Sequence, residues 1–165
     1  MNDAHIHLLT NHLPILIPVV GVLIMIGGFL FSAEILKRAA YCLFILGAIT
    51  ANLALATGER SEDTVEQIPG IDKKMIHEHE ERAEDFSNTL YALSGLSLLG
   101  LWASWKKKKF SNIVAYVSLA FMVVVLYDAK VTGTSGGEIR HTEIRGDSTG
   151  QSDILNIFKG EDDDD

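Results

Sequence analysis

The sequence predicts an all-α membrane protein: a four-transmembrane-helix bundle with loops on the outer side and a mostly disordered C-terminal tail. Three observations lead there. The 165 residues are 47% hydrophobic and 22% charged, with a formal net charge of -8, so apolar and charged residues must be segregated along a chain with room for one domain. Four apolar runs, in helices expected at about 13–33, 39–57, 72–105 and 110–128, approach the roughly 20 residues that a helix needs to cross a bilayer. Basic residues gather in two short turns, as Lys37 and Arg38 and as Lys106, Lys107, Lys108 and Lys109, whereas the connection 58–85 is strongly acidic.

The first run is preceded by Met-Asn-Asp-Ala-His. That opening lacks a basic n-region and a small-residue cleavage site, so 13–33 is expected to stay as a first helix and not to be removed as a signal peptide. Asn11 can cap it and Pro14 is tolerated in its opening turn, while Pro18 removes a donor and should bend it. Gly21, Gly27 and Gly28 in the first run, and Gly47, Ala48 and Ala51 in the second, are small enough to let helices approach closely in lipid. Asn52 is expected as a buried amide in need of a partner. The single cysteine, Cys42, sits in an apolar run and is expected as a buried, inert thiol.

Helix-stopping signals flank the connection from Thr57-Gly58 to Pro69-Gly70. A helix should restart at Asp72 and run on into the third apolar stretch, 86–105. At 100° per residue, Ile76, His79, Ala83, Phe86 and Leu90 share one stripe, and His77, Glu80, Glu81, Glu84 and Asn88 share the other. His79 therefore faces the bundle and His77 faces water. After a fourth helix ending near Asp128, Thr132-Gly-Thr-Ser-Gly-Gly137 reads as flexible and Glu138 to Arg145 as a short extended stretch. Residues 1–145 form the helical domain, and 146–165, ending in Glu161 and four aspartates, read as a disordered acidic tail.

Basic residues near helix ends are retained on the cytoplasmic side. The two basic turns therefore place the N-terminus, the 58–85 connection and the C-terminal tail together outside, as in a multi-pass protein of a bacterial inner membrane with periplasmic termini. Trp102 and Trp105 beside the lysine run fit an interfacial aromatic belt. The bilayer is the expected partner, and the acidic balance gives no basis for nucleic-acid binding.

This topology brings all six histidines, His5, His7, His12, His77, His79 and His141, to one face. Imidazole is the commonest metal ligand and a good axial ligand for haem iron, and helix bundles hold cofactors between facing helices. His7 and His12 lie about 140° apart on a continuous helix and His77 and His79 on nearly opposite faces, so neither pair chelates one small ion from one helix. There is no His-Glu-x-x-His pattern, no Cys-x-x-Cys-His for covalent haem and no glycine-rich phosphate loop. Two chemistries stay open. One is non-covalent haem; the other is a histidine–carboxylate site for copper, zinc or iron, built from His5, His7, His77 or His79 with Glu59, Glu80 or Glu81.

The motifs His7-Leu-Leu-Thr-Asn-His12-Leu-Pro14-Ile, Thr57-Gly-Glu, Val65-Glu-Gln-Ile-Pro-Gly70, His79-Glu-Glu-Arg-Ala83 and Gly136-Gly-Glu-Ile-Arg-His141 carry a resemblance. Over about residues 5–145 the chain resembles a bacterial family of four-helix membrane proteins of unknown function and b-type-cytochrome-like character. The family's usual opening, His-Pro-x-x-Val-His-Phe-Pro, has Pro and Phe where this chain has Leu8 and Leu13, and its double glycine lies further from the last histidine. The resemblance implies that His7, His12, His79 and His141 are the functional histidines, enough for one or two bis-histidine haems b. The expected function is then a haem-binding membrane subunit that transfers electrons and is not an independent enzyme. A non-catalytic accessory role in a larger respiratory or redox membrane complex is a further alternative, with the apolar cluster Ile154, Leu155, Ile157 and Phe158 binding a partner. His141 is expected to reach back from the tail, since twelve residues after Asp128, at up to about 3.3 Å each, can recross a bundle; Ile139 and Ile144 would anchor the segment.

Overall fold

The computed structural model describes residues 3–68 and 71–141. Among the described residues the chain is all-helical, without strands: α1 (Asp3–Thr10), α2 (Leu13–Leu30), α3 (Glu34–Val65), α4 (Lys73–Trp105) and α5 (Ser111–Arg140). The predicted acidic tail and its apolar cluster at 154–158, together with Ile144, lie outside the described residues. Helix α3 packs against α2 and α4, α4 packs against α5, and a lighter α2–α5 contact closes the four-helix ring; α1 lies on α3. Three helices are long and apolar enough to cross a membrane: His5–Leu30, Glu34–Glu62 and Ser111–Ile139. The apolar half of α4 is diluted by serines, and Ser87, Ser97 and Ser104 all point into the bundle and are buried.

The core is one continuous seam of Met25, Tyr41, Phe44, Phe86, Leu90, Leu93, Met122 and Val125. Pro18 does not end α2 but packs on Gly47, where a Cβ would stand 2.5 Å from the proline ring. That contact is the reason a glycine occupies the middle of α3, at a cost of roughly 1 kcal/mol in helix propensity. Asn52 and Cys42 are exposed, contrary to the sequence expectation. Both lie on the outside of α3, and Asn52 donates to the Tyr91 hydroxyl at 3.4 Å.

Helices α2 and α4 end in the same motif. After α2, Ala33 N–H reaches Gly28 O (2.9 Å) and Ser32 N–H reaches Phe29 O (3.2 Å), with Ser32 at φ 51. After α4, Lys108 N–H reaches Ala103 O (2.9 Å) and Lys107 N–H reaches Ser104 O (3.1 Å), with Lys107 at φ 50. These are Schellman pairs, which tie off the last carbonyls with one left-handed residue each. Around them a polar network joins three helices. Lys37, 5% exposed, donates to Glu34 (2.8 Å) and Asn112 (2.7 Å) and lies 4.9 Å from the Phe29 ring centroid. Arg38 donates to the Ser104 hydroxyl (2.8 Å) and carbonyl (3.1 Å), and Ser104 donates to Glu34 (3.0 Å).

The opposite end departs from the sequence reading in three places. Residues 3–10 form a separate short helix, and the next one starts at an N-cap, His12, that makes no side-chain cap; Asn11 bonds to the His12 ring and does not cap the helix. Helix α3 continues past Thr57 and Gly58 to Val65, because Thr57 and Ser61 return their hydroxyls to the helix carbonyls of Leu53 and Gly58 (2.9 and 2.8 Å). Helix α5 continues past Asp128, through the glycine-rich run read as flexible and part of the stretch read as extended, to Arg140. Helix α4 restarts at Asp72 as expected, and the Asp72 carboxylate caps it, accepting from Lys74 N–H at 2.9 Å. At a rise of 1.5 Å per residue α3, α4 and α5 are each roughly 45–50 Å long, well over the roughly 30 Å of a bilayer core.

Candidate histidine site

Antiparallel packing sets Thr57 on α3, His79 on α4 and Ser135 on α5 at one level, and α1 adds His7. Its ring stands on α3, with Nδ1 3.0 Å from the Ala54 carbonyl and 3.3 Å from the Thr57 hydroxyl. A carbonyl only accepts, so Nδ1 carries the proton and Nε2 carries the lone pair. The Thr10 and Thr57 hydroxyls meet at 3.4 Å, pinning α1 beside the ring. Thr57 itself is buried.

His79 is held in the same way from the other side. Its Nδ1 lies 3.0 Å from the Ser135 hydroxyl, whose own hydrogen goes to the Thr132 carbonyl at 2.9 Å. Ser135 can therefore only accept from the imidazole, which again leaves Nε2 as the free lone pair. Thr132 in turn donates to the Arg82 carbonyl at 2.8 Å, locking α5 to α4 one turn from His79. The extended α5 is thus what positions the second histidine.

A glycine faces each ring. A Cβ at Gly136 would stand 2.8 Å from His79 Cε1, a distance that forces something to move, and one at Gly58 would stand 3.2 Å from His7 Cε1. The two imidazoles also sense each other. Burial, and then repulsion from His7, push His79 below its ordinary value of 6.5, opposed by the Thr132 carbonyl. His79 is thereby kept neutral at pH 7, the form in which an imidazole can bind a metal. On the neighbouring turn, burial and the carboxylates of Glu62, Glu59 and Glu84 raise Glu80, against an opposing pull from His77.

The other predicted residues stand apart from this pair. His77 is exposed toward water as its helical face required, 3.9 Å from Glu80 and 3.5 Å from Glu81. His12 is exposed at the start of α2, and His5 and Glu59 are exposed as well. His141 is exposed just beyond α5, its N–H bonded to Gly137 O at 2.9 Å. The chain thus reaches it by a helix and not by an extended segment folding back. Among the described residues no three His, Cys, Asp or Glu side chains converge on a metal-sized position.

Sequence reasoning missed Ser135 and Thr132 as partners of His79, and Ala54 as the partner of His7. The signal for the first two was the spacing Thr132, Ser135, Gly136, one face of a helix once the glycine run is allowed to be helical. Comparison with family models, with curated proteins and with solved structures returns no match. The site has to be read from its own geometry.

Proposed function

We propose that this chain is a membrane-embedded, haem-binding electron-transfer protein in which His7 and His79 would together hold one haem b. The observation that carries the reading is the symmetry of the two imidazoles. They come from different helices, are brought to one level, and have Nδ1–H committed to an acceptor and Nε2 uncommitted. Metal-ligating histidines are oriented in this way by an outer partner, which fixes the tautomer and strengthens the ligand. Among the described residues two donors meet without a third, which suits a bis-histidine haem better than the usual copper, zinc or iron sites of three or more protein ligands. Gly58 and Gly136 keep the ring flanks clear.

When bound, haem b supplies one-electron chemistry at its iron. The chain's own residues do the rest. Ala54, Thr132 and Ser135 hold the imidazole planes, and burial holds His79 neutral. Leucine, phenylalanine and alanine side chains of the seam below exclude water from the bundle. His12 and His141, which the resemblance named, lie outside this pair, so the proposal is for one haem and not two.

We place the four helices across a bacterial inner membrane, the end that carries Lys37 and Arg38 in the first turns of α3 and the 106–109 lysine turn cytoplasmic, and the histidine end periplasmic. The support is the three long apolar helices and the buried serines of α4, which hide its polar load inside the bundle. Association with a larger respiratory or redox complex belongs to the same reading. The protein purified in detergent should show a sharp Soret band, with α and β bands on reduction, at one haem per chain. A colourless preparation after expression with ample haem, or stoichiometric copper or zinc in its place, would overturn the reading.

A further inference from the structure

The turn that joins α4 to α5 spends conformational strain on a charge. Its left-handed residue is Lys107, at φ 50, in the Schellman position where glycine is the usual and cheapest occupant. A strained position held by a residue with a long charged side chain points to a use for that side chain. Lys106, Lys107, Lys108 and Lys109 are all exposed, and none of them makes an ion pair among the described residues. The other two cations at this end are spoken for: Lys37 by Glu34 and Asn112, Arg38 by Ser104. The free positive charge of this end is therefore concentrated in one turn.

Aromatic rings surround it. Trp102 is 46% and Trp105 66% exposed, Lys108 lies 5.5 Å from the Trp102 ring centroid, and Phe110 lies 6.3 Å from Trp102. Indoles that follow an apolar helix settle at the boundary between acyl chains and headgroups. Ammonium groups one to four residues further on then stand in the plane of the lipid phosphates.

We propose that the 106–109 turn is a docking surface for anionic phospholipids, its ammonium groups binding headgroup phosphates while Trp102 and Trp105 seat the turn in the bilayer surface. The inference rests on the membrane insertion proposed above and is independent of the haem. A basic cluster beside a membrane span attracts anionic lipid in a salt-sensitive way. The aromatic rim commits the surface to a lipid and not to a soluble anion.

The two tryptophans of the chain are Trp102 and Trp105, so intrinsic fluorescence reports on this turn alone. The full chain is reconstituted in mixed phosphatidylcholine–phosphatidylglycerol vesicles, with bromine on the acyl chains of one lipid or the other. Brominated phosphatidylglycerol should quench several-fold more than brominated phosphatidylcholine at equal mole fraction, and added salt should shrink the difference. Replacing Lys106→Gln, Lys107→Gln, Lys108→Gln and Lys109→Gln together should equalise the two. Lys107→Gly, which relieves the backbone and keeps three charges, should fold at least as well and lose part of the preference. Equal quenching in the natural chain, full preference in either variant, or abolition of the preference by inorganic phosphate at constant ionic strength would overturn the proposal. Quenching by neither lipid would overturn it together with the insertion on which it rests.

Discussion

The two ends of the bundle solve the same problem, polar groups among apolar helices, in opposite ways. At the lysine end the buried cation and its neighbours close on one another: Lys37 on Glu34 and Asn112, Arg38 on Ser104, Ser104 on Glu34. Two Schellman turns seal the helix ends below them. At the histidine end the network stops one bond short. Ala54, Thr57 and Ser135, the last held by the Thr132 carbonyl, fix two imidazoles by Nδ1 and, among the described residues, leave Nε2 without a partner. A closed network is a fastening; an oriented, half-satisfied pair of lone pairs is what a ligand site requires.

The largest break in this comparison should come from His79. His79→Ala removes a proposed ligand from the bundle face, whereas His77→Ala removes a ring that points to solvent from the same helix. The first should abolish the reduced α band and the second leave it unchanged, read by difference spectra of folded protein. Equal losses would contradict the assignment of the two faces.

At the lysine end the expected change is in stability and not in the spectrum. Lys37→Ala deletes a buried cation with two hydrogen bonds to Glu34 and Asn112, and charge-assisted bonds of this kind contribute about 1.5–3 kcal/mol. Thermal unfolding in detergent should show a loss of about 2 kcal/mol with the cofactor content retained. A spectral change on this substitution would show that the ends are coupled.

Glycines sharpen the contrast further. Gly136→Ala introduces a Cβ 2.8 Å from His79 Cε1, while Gly95 has nothing within 4 Å of its would-be Cβ. Gly136→Ala should reduce haem content and shift the redox potential, with Gly58→Ala, at 3.2 Å, giving a weaker form of the same effect. Gly95→Ala should leave the spectrum alone and add about 0.5–1 kcal/mol of helix stability. Identical outcomes at Gly136 and Gly95 would remove the glycine cradle from the account.

Acid should act on one end more than the other. His79 is depressed from 6.5, so between the lowered and the ordinary value the unfolded chain binds more protons than the folded one. Its contribution to stability is complete above about pH 6.5 and is lost as pH falls through the lowered folded value. Protonation also removes the lone pair through which His79 would hold the proposed haem. Bleaching of the Soret band on acidification should therefore accompany the loss of stability, and His79→Gln should remove that component of the pH dependence. A pH profile unchanged in His79→Gln would place the titration elsewhere.

Much of the architecture was legible in the sequence. The four long helices, three of them apolar enough to span a membrane, the restart of a helix at Asp72 and the opposite faces of His77 and His79 follow from length, stop signals and the 100° step. What was not legible lies where tertiary contact overrides local signal. Thr57-Gly58 and Thr132 to Gly137 read as breaks because isolated helices avoid glycine. Here a Cβ at Gly136 would collide with a histidine ring and one at Gly58 would crowd another, and the hydroxyls of Thr57 and Ser135 bond within their own helices. Cys42 and Asn52 were placed inside because an apolar run was taken as buried; both stand on the outer face of α3. Of the candidate site, His7 and His79 were identifiable as histidines of interest. Their partners were not, because Ser135 and Thr132 acquire a face only when α5 is known to continue.

In the proposed haem site His7 and His79 serve one shared centre. Haem content of His7→Ala, His79→Ala and the double variant tests it most directly, measured on folded protein under saturating haem. Two ligands of one iron act as a unit, so each single variant should lose the bis-histidine spectrum and the double should lose no more than either. If instead each single variant keeps about half of the natural haem content and only the double loses it all, additivity would mean that the histidines serve separate sites, and the shared bis-histidine centre would be wrong.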